Sequence, residues 1–293
     1  MGYGFKFASL FLGVLSAGCS SLVYHPSQQM FIDPKRLNLE YENVYFESSD
    51  GKTLVGWVFP AQLEKGEKLK GTVIQFHGNA ENRTTHFLSL VWLIKRGFNV
   101  FTFDYRGYHL SEGTPDQEGV YRDGMAAIRF AKKKFPALDH PDLILYGQSL
   151  GGAVLSRCYE DVVDRSRILT VVIEGSFDSY QRIAQNILSR LYLLWPFQWL
   201  GRAWISDQYS PERSFAQISP TPLLVIHGTE DRTIPYSFGQ RIFSHSSEPK
   251  KMITISGGKH LDTYFIENGK YRDEFVQYLD QLIKKETHEL ARD

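Results

Sequence analysis

Six short, almost uninterrupted apolar runs limit the fold more than any other feature: residues 72–76, 99–103, 143–146, 170–173, 223–226 and 252–255. A strand with one face in water alternates apolar and polar side chains. A run apolar at nearly every position is covered on both faces, which is the condition of a strand inside a parallel sheet. Helical stretches separate most of these runs. Residues 84–96 end in Lys95-Arg96-Gly97, cations in a last turn followed by a glycine stop. Residues 118–134 carry Val120, Ile128 and Ala131 on one side, and Tyr271, Phe275, Leu279, Leu282 and Ile283 form a stripe of near-helical spacing. Ahead of them, residues 40–46 and 52–60, rich in aromatic and β-branched types, flank Asp50-Gly51, a hairpin signal. The expected architecture is α/β: a mostly parallel, doubly wound sheet that begins with an antiparallel hairpin. Sheets of this kind place ligands at the C-terminal ends of their strands.

The chain has 293 residues and balances 33 Lys+Arg against 33 Asp+Glu, which gives no general attraction for nucleic acid. Two cysteines cannot build a disulfide scaffold or a Cys-only zinc site. No histidine pair has metal-ligand spacing, so neither a metal nor another cofactor is expected.

The first residues read as an address. Lys6 precedes an apolar and small stretch, 7–18, too short to span a bilayer. It ends Leu15-Ser16-Ala17-Gly18-Cys19, which resembles the bacterial lipobox, with Ser16 where leucine is usual. The resemblance implies a signal peptide over 1–18, acylation of Cys19 and a membrane partner reached through that lipid. Residues 19–37 then read as a tether and 38–286 as the domain, with an insertion at about 180–215. Ser20 after Cys19 is similar to the sorting signal of outer-membrane lipoproteins, which implies the bacterial cell envelope. Cys158, among Val154 and Leu155 in a predicted helix, reads as a buried small hydrophobe.

The chemistry gathers at strand ends. Gly147-Gln148-Ser149-Leu150-Gly151 follows a predicted strand and opens a helix. A serine on so tight a turn needs small neighbours, and its hydroxyl then projects from the sheet edge as a nucleophile. Serine needs a base, and His260 follows the last predicted strand in Gly257-Gly258-Lys259-His260. The base needs an acid to hold its tautomer. Asp231, beyond the run 223–226, is placed for it, with Glu230 and Asp262 as rivals. An oxyanion would take the backbone N–H of Leu150 and a second from the loop after the first core strand, Asn79 rather than Ala80. His77 and His227 precede glycines at strand ends and are expected to shape turns.

Nearly all of residues 24–282 resemble an α/β-hydrolase, of the branch that holds serine aminopeptidase-like hydrolases and abhydrolase-domain acyl-protein thioesterases. The resemblance is carried by Ser49-Asp50-Gly51 with Leu54 and Gly56-Trp57, by His77-Gly78-Asn79-Ala80, and by Phe103-Asp104-Tyr105-Arg106-Gly107-Tyr108 with Ser111, Gly113 and Pro115. The serine motif with Gly152, and His227-Gly228-Thr229-Glu230-Asp231, complete it. It implies a serine hydrolase acting on an ester or thioester through Ser149, Asp231 and His260. The alternatives are a peptidase, in which Glu174 or Asp178 would meet the substrate amine, and a binding lipoprotein without turnover. His109 stands where the family usually has glycine, and its side chain is expected in solvent, with a place facing the pocket as the alternative. The insertion holds three of the five tryptophans, Trp195, Trp199 and Trp204, as a cap over an acyl group or as a packing cluster.

Overall fold

The computed structural model describes residues 23–190, 199 and 205–290. Its strands are β1 (His25–Pro26), β2 (Glu42–Glu47), β3 (Thr53–Phe59), β4 (Gly71–Phe76), β5 (Ala80–Glu81), β6 (Phe98–Phe103), β7 (Leu143–Gln148), β8 (Ile168–Glu174), β9 (Leu223–Gly228) and β10 (Lys250–Ile255). Its α-helices are α1 (Arg83–His86), α2 (Gln117–Lys134), α3 (Leu150–Glu160), α4 (Tyr180–Arg190), α5 (Tyr236–His245) and α6 (Lys270–Leu290). Eight strands form one sheet in the order β2-β3-β6-β4-β7-β8-β9-β10. The pairs β2/β3 and β3/β6 are antiparallel, and every later pair is parallel. All six apolar runs are strands of this sheet, and the hairpin turns at Asp50-Gly51, with Gly51 at φ +78°.

The central strands β4, β7, β8 and β9 are buried at every position, as their composition requires. Their side chains alternate between two apolar layers. Ile74, Phe76, Leu145, Val171 and Ile173 meet Val120, Ala127, Val154 and Ile242, which brings α2, α3 and α5 to one face. Val73, Ile144, Tyr146 and Val172 meet Phe87, Leu90, Phe275 and Leu279 on the other, under α6 and the segment before β6. Full burial of a large apolar side chain is worth about 1.5–3 kcal/mol, so these layers dominate the stability. Edge strand β2 buries only alternate residues.

The segment expected as one helix over 84–96 is α1 followed by two short 3₁₀ turns, Phe87–Ser89 and Val91–Arg96. The His86 carbonyl would accept from the Leu90 N–H in a continuous α-helix. Here it accepts from the Gln75 amide of β4 and from Ser89 Oγ, both at 2.8 Å. The Leu90 N–H turns to Phe87 O instead, at 3.1 Å.

The described part of the expected tether, from Val23 on, is a strap built into the domain. β1 pairs in parallel with β5, and Tyr24 is buried in the core. Asn82 donates to Ser27 O and Gln29 O at 2.9 and 2.8 Å, and Phe31 N–H donates to Thr84 Oγ1 at 3.0 Å. Cys19 and the leader lie outside the described residues.

His109 is likewise a correction. Its side chain is buried, 5% exposed, with neither ring nitrogen hydrogen-bonded, rather than solvated. The backbone there takes φ +45°, which a glycine adopts without strain. The His109 N–H donates to Ser27 O at 2.9 Å, so the strap closes over the residue. Burial, aided by the Arg83 charge, holds its pKa down to about 4, and the ring is neutral.

Candidate active site

Ser149 sits between β7 and α3 at φ 53° and ψ −118°, a strained conformation for a residue with a side chain. Its neighbours explain how the turn is held. A Cβ on Gly151 would lie 2.0 Å from the Phe76 carbonyl oxygen, and one on Gly147 would lie 2.6 Å from Gly152 Cα. Only glycine permits that approach of α3 to β4 and β7. Ser176 Oγ donates to Ser149 O at 2.7 Å and fixes the turn from β8.

Asp231 and His260 arrive on two loops packed face to face. Gly228 Cα faces the second loop so closely that a Cβ would stand 2.3 Å from Gly258 O, and Glu230 N–H donates to that same oxygen at 2.9 Å. His260 Nδ1 lies 2.7 Å from Asp231 Oδ2, and His260 Nε2 lies 3.1 Å from Ser149 Oγ. A carboxylate can only accept, so Nδ1–H donates to Asp231 and Nε2 is free to accept the Ser149 proton. The other carboxylate oxygen, Oδ1, accepts from the N–H groups of Thr233 and Ile234, both at 2.8 Å. The rivals are placed otherwise. Glu230 is exposed, and Asp262 accepts the Lys259 N–H with both oxygens at 2.9 Å.

Ser149 opens on a cavity of about 140 Å³ that Asn79 and Leu150 also line. Most of its wall is apolar, with Phe177, Ile183, Ile187, Ile205 and Ile234. The Leu150 N–H heads α3, where helix N–H groups lack partners within the helix. Asn79 is held from the side chain: its Oδ1 accepts from the His25 N–H of the strap at 3.0 Å and from Tyr108 Oη at 3.1 Å. Ala80, the alternative, is paired with the strap in β5.

The remaining titratable groups are structural. His77 Nδ1 lies 2.7 Å from Gly78 O and His227 Nε2 lies 2.8 Å from Ile234 O, so both brace turns, and burial lowers the pKa of each. Glu174 is buried and accepts from Tyr146 Oη at 3.0 Å and Gln148 Nε2 at 2.8 Å; burial raises its pKa. Asp178 is buried in ion pairs with Arg182 at 2.6 Å and Arg241 at 2.8 Å. Neither acid lines the cavity. Asp178, Glu212 and His245 lie close enough for one cation, yet the two arginines already neutralise both carboxylates. Cys158 is buried, with its thiol pKa pushed up by burial. Among the described residues no helix is long and apolar enough to cross a membrane.

Sequence reading missed part of the cavity wall. Val23 and His25 line it from the strap, and Tyr180, Ile183 and Ile187 line it from α4. The apolar stripe of α4 was a readable signal, whereas the strap has no periodicity to announce it. Trp195 and Trp204 lie outside the described residues; Trp199 is 58% exposed.

A strained serine on a strand-to-helix turn, backed by histidine and aspartate from later loops on a sheet of this order, defines a class. The chain belongs to the α/β-hydrolase superfamily. Residues 67–192 match the family model described as serine aminopeptidase, S33. The chain is 36% identical over 243 residues to YfhR of Escherichia coli K12, covering 81% of this chain and 80% of that protein. It is 28% identical over 287 residues to the α/β-hydrolase domain-containing protein WAV2 of Arabidopsis thaliana, covering 92% and 90%. Among solved structures, an esterase of Pyrococcus furiosus superposes with a TM-score of 0.68 at 20% identity, covering 90% of this chain and 98% of that one. An acylaminoacyl peptidase of Pyrococcus horikoshii gives 0.61 at 15% identity, over 85% of this chain and 42% of the other.

Proposed function

We propose that this hydrolase cleaves an ester or thioester through an acyl-enzyme on Ser149, and that acylated Cys19 anchors it to a membrane of the bacterial envelope. The observation that carries the catalytic part is the hydrogen-bonded series Ser149–His260–Asp231 at 3.1 and 2.7 Å on a strained turn. In the mechanism that follows from it, His260 Nε2 takes the Ser149 proton as Oγ attacks the acyl carbon. Asp231 stabilises the imidazolium, and the N–H groups of Leu150 and Asn79 receive the oxyanion. The leaving alcohol or thiol takes the proton from His260. Water, deprotonated by the same histidine, then releases the acid and restores Ser149.

The apolar wall favours an acyl chain in the cavity. An aminopeptidase reading would want a carboxylate facing the substrate amine, and neither Glu174 nor Asp178 lines the cavity. A binding protein without turnover has no physical need of the complete series.

A panel of p-nitrophenyl esters, acyl thioesters and aminoacyl amides, with fluorophosphonate labelling, tests this reading. Esters and thioesters should turn over, with kcat/KM rising about fourfold per methylene until the cavity fills. Ser149→Ala should abolish both turnover and labelling while the fold persists. Undiminished labelling of that variant would remove Ser149 from the mechanism. Turnover confined to the amides would favour the peptidase.

A further inference from the structure

Resting on the reading just proposed, with Cys19 acylated and Ser149 as nucleophile, we infer that the rim of the Ser149 cavity lies on the lipid bilayer, so that the acyl substrate enters from the membrane. The argument begins with the strap. Its His25 N–H donates to Asn79 Oδ1 at 3.0 Å and its Ser27 N–H donates to Glu81 O at 3.2 Å. Ser27 O accepts from His109 N–H at 2.9 Å, and Tyr24 is buried. Val23, next to Tyr24 and part of the cavity wall, therefore has a fixed place. Cys19 stands four residues before Val23. An extended chain advances at most about 3.6 Å per residue, so the four-residue link from Cys19 can span no more than about 14 Å. The headgroup layer of one leaflet takes up about 6 Å of this reach. With its acyl chains in hydrocarbon, an anchor this short leaves little room for the cavity to face away from the surface.

The chemistry of the rim agrees. Ile187 lines the cavity and is nevertheless 49% exposed, an apolar side chain at the mouth. Thr233 joins the cavity to a neighbouring recess lined by Arg232, Lys259, Glu230 and His260. Arg232 and Lys259 are exposed, and neither forms an ion pair among the described residues. Arg190, exposed at the end of α4, donates to the Arg232 carbonyl and adds a third cation beside the recess. Apolar side chains at an opening flanked by three exposed cations against one exposed carboxylate, Glu230, complement acyl chains below and anionic phosphates above.

The test uses the full-length, lipid-modified protein in vesicles of phosphatidylethanolamine and phosphatidylglycerol. Two substrates are compared: p-nitrophenyl butyrate in solution and 4-methylumbelliferyl palmitate in the bilayer. A flexible Gly/Ser insert of about twenty residues between Ser21 and Leu22 adds roughly 25 Å of average reach and leaves the strap intact. The insert should change butyrate turnover by less than about twofold and cut palmitate turnover about tenfold, because it dilutes the cavity away from the surface. Equal effects on both substrates, or none on either, would overturn the inference, as would an unmodified Cys19 by mass spectrometry. If the native protein hydrolyses neither ester, the hydrolase reading fails, which is a separate result. A second variant, Arg232→Glu with Lys259→Glu, should slow palmitate turnover on these anionic vesicles and not on phosphatidylcholine alone. Equal slowing on both would remove the charged rim from the argument.

Discussion

Replacing Asp231 by asparagine separates the electronic part of the site from its geometry. Asp231 Oδ1 holds the loop by accepting from Thr233 and Ile234 N–H, and Oδ2 accepts from His260 Nδ1. An asparagine has one acceptor oxygen and one NH₂. If the NH₂ faced the loop, two N–H donors would be left unpaired against a third, at a cost of about 1–3 kcal/mol for each buried group. The oxygen therefore stays with the loop, and the NH₂ faces His260. Nδ1 must then accept, which moves the ring proton to Nε2, where it blocks proton transfer from Ser149. The expected loss is about 10⁴ in kcat, or roughly 5.4 kcal/mol of transition-state stabilisation, by analogy with the same exchange in serine proteases. KM should change little, and because the loop bonds survive, the melting temperature should fall by less than about 4 °C. Steady-state hydrolysis of p-nitrophenyl butyrate, alongside thermal unfolding, measures both. Glu230→Gln and Asp262→Asn serve as controls. An Asp231→Asn protein that keeps more than about a tenth of its activity, or a control that loses as much, would refute the reasoning.

Gly151→Ala should fail to fold or lose at least about 4 kcal/mol in denaturant titration, since its Cβ would stand 2.0 Å from the Phe76 backbone oxygen; a normal midpoint would contradict the turn geometry. Asn79→Ala, which releases the loop after β4 from His25 and Tyr108, should lower kcat by up to about 10² with KM unchanged if Asn79 N–H receives the oxyanion as proposed, and Asn79→Asp, which keeps the acceptor, should recover most of it. His109 binds its proton with a pKa of about 4 when folded, below the ordinary 6.5, so the unfolded chain binds more protons between those values and stability falls as pH drops through that window. The ceiling of this effect is about 3 kcal/mol. His109→Gly should flatten the slope in urea titrations between pH 7 and 4.5, and an unchanged slope would show that the ring is already charged in the fold. The lowered pKa values of His77, His86 and His227 act in the same direction and account for any slope that remains.

Local chemistry was legible wherever one residue type had one use. Buried parallel strands demand apolar side chains on both faces, so β4, β7, β8 and β9 could be read from composition alone. Glycines beside Ser149 announced a turn in which no Cβ fits. Much of the motif from Phe103 to Tyr108 proves to be scaffolding. Asp104 pairs with buried Arg83, and Arg106 pairs with Asp123 at 2.8 Å and with Asp50 of the hairpin at 2.8 Å, clamping the turn to α2. The segment 84–96 misled because its pattern is helical while the competing donor, Gln75, is a side chain on β4, eleven residues before His86. Apolar periodicity around His86 does not reveal that the Gln75 and Ser89 side chains will donate to its carbonyl.

By itself, the amino-acid sequence determined the strands of the sheet, the turn that carries Ser149, and the place of His260 in the loop after the last strand. These follow from local sterics and from periodicity, which act within a few residues. Tertiary structure alone decided which acid serves His260, because Asp231 and Asp262 differ only in what their loops do with them: one is aimed at the imidazole and the other caps the Lys259 N–H. It also decided that the stretch from Val23 to Gln29 is bonded to the domain, with Val23 and His25 in the wall of the site, and that His109 is buried and bonded to it through its N–H. Pairings between residues more than fifty positions apart, such as His25 with Asn79, depend on where the folded sheet places each loop, and no local propensity encodes that distance.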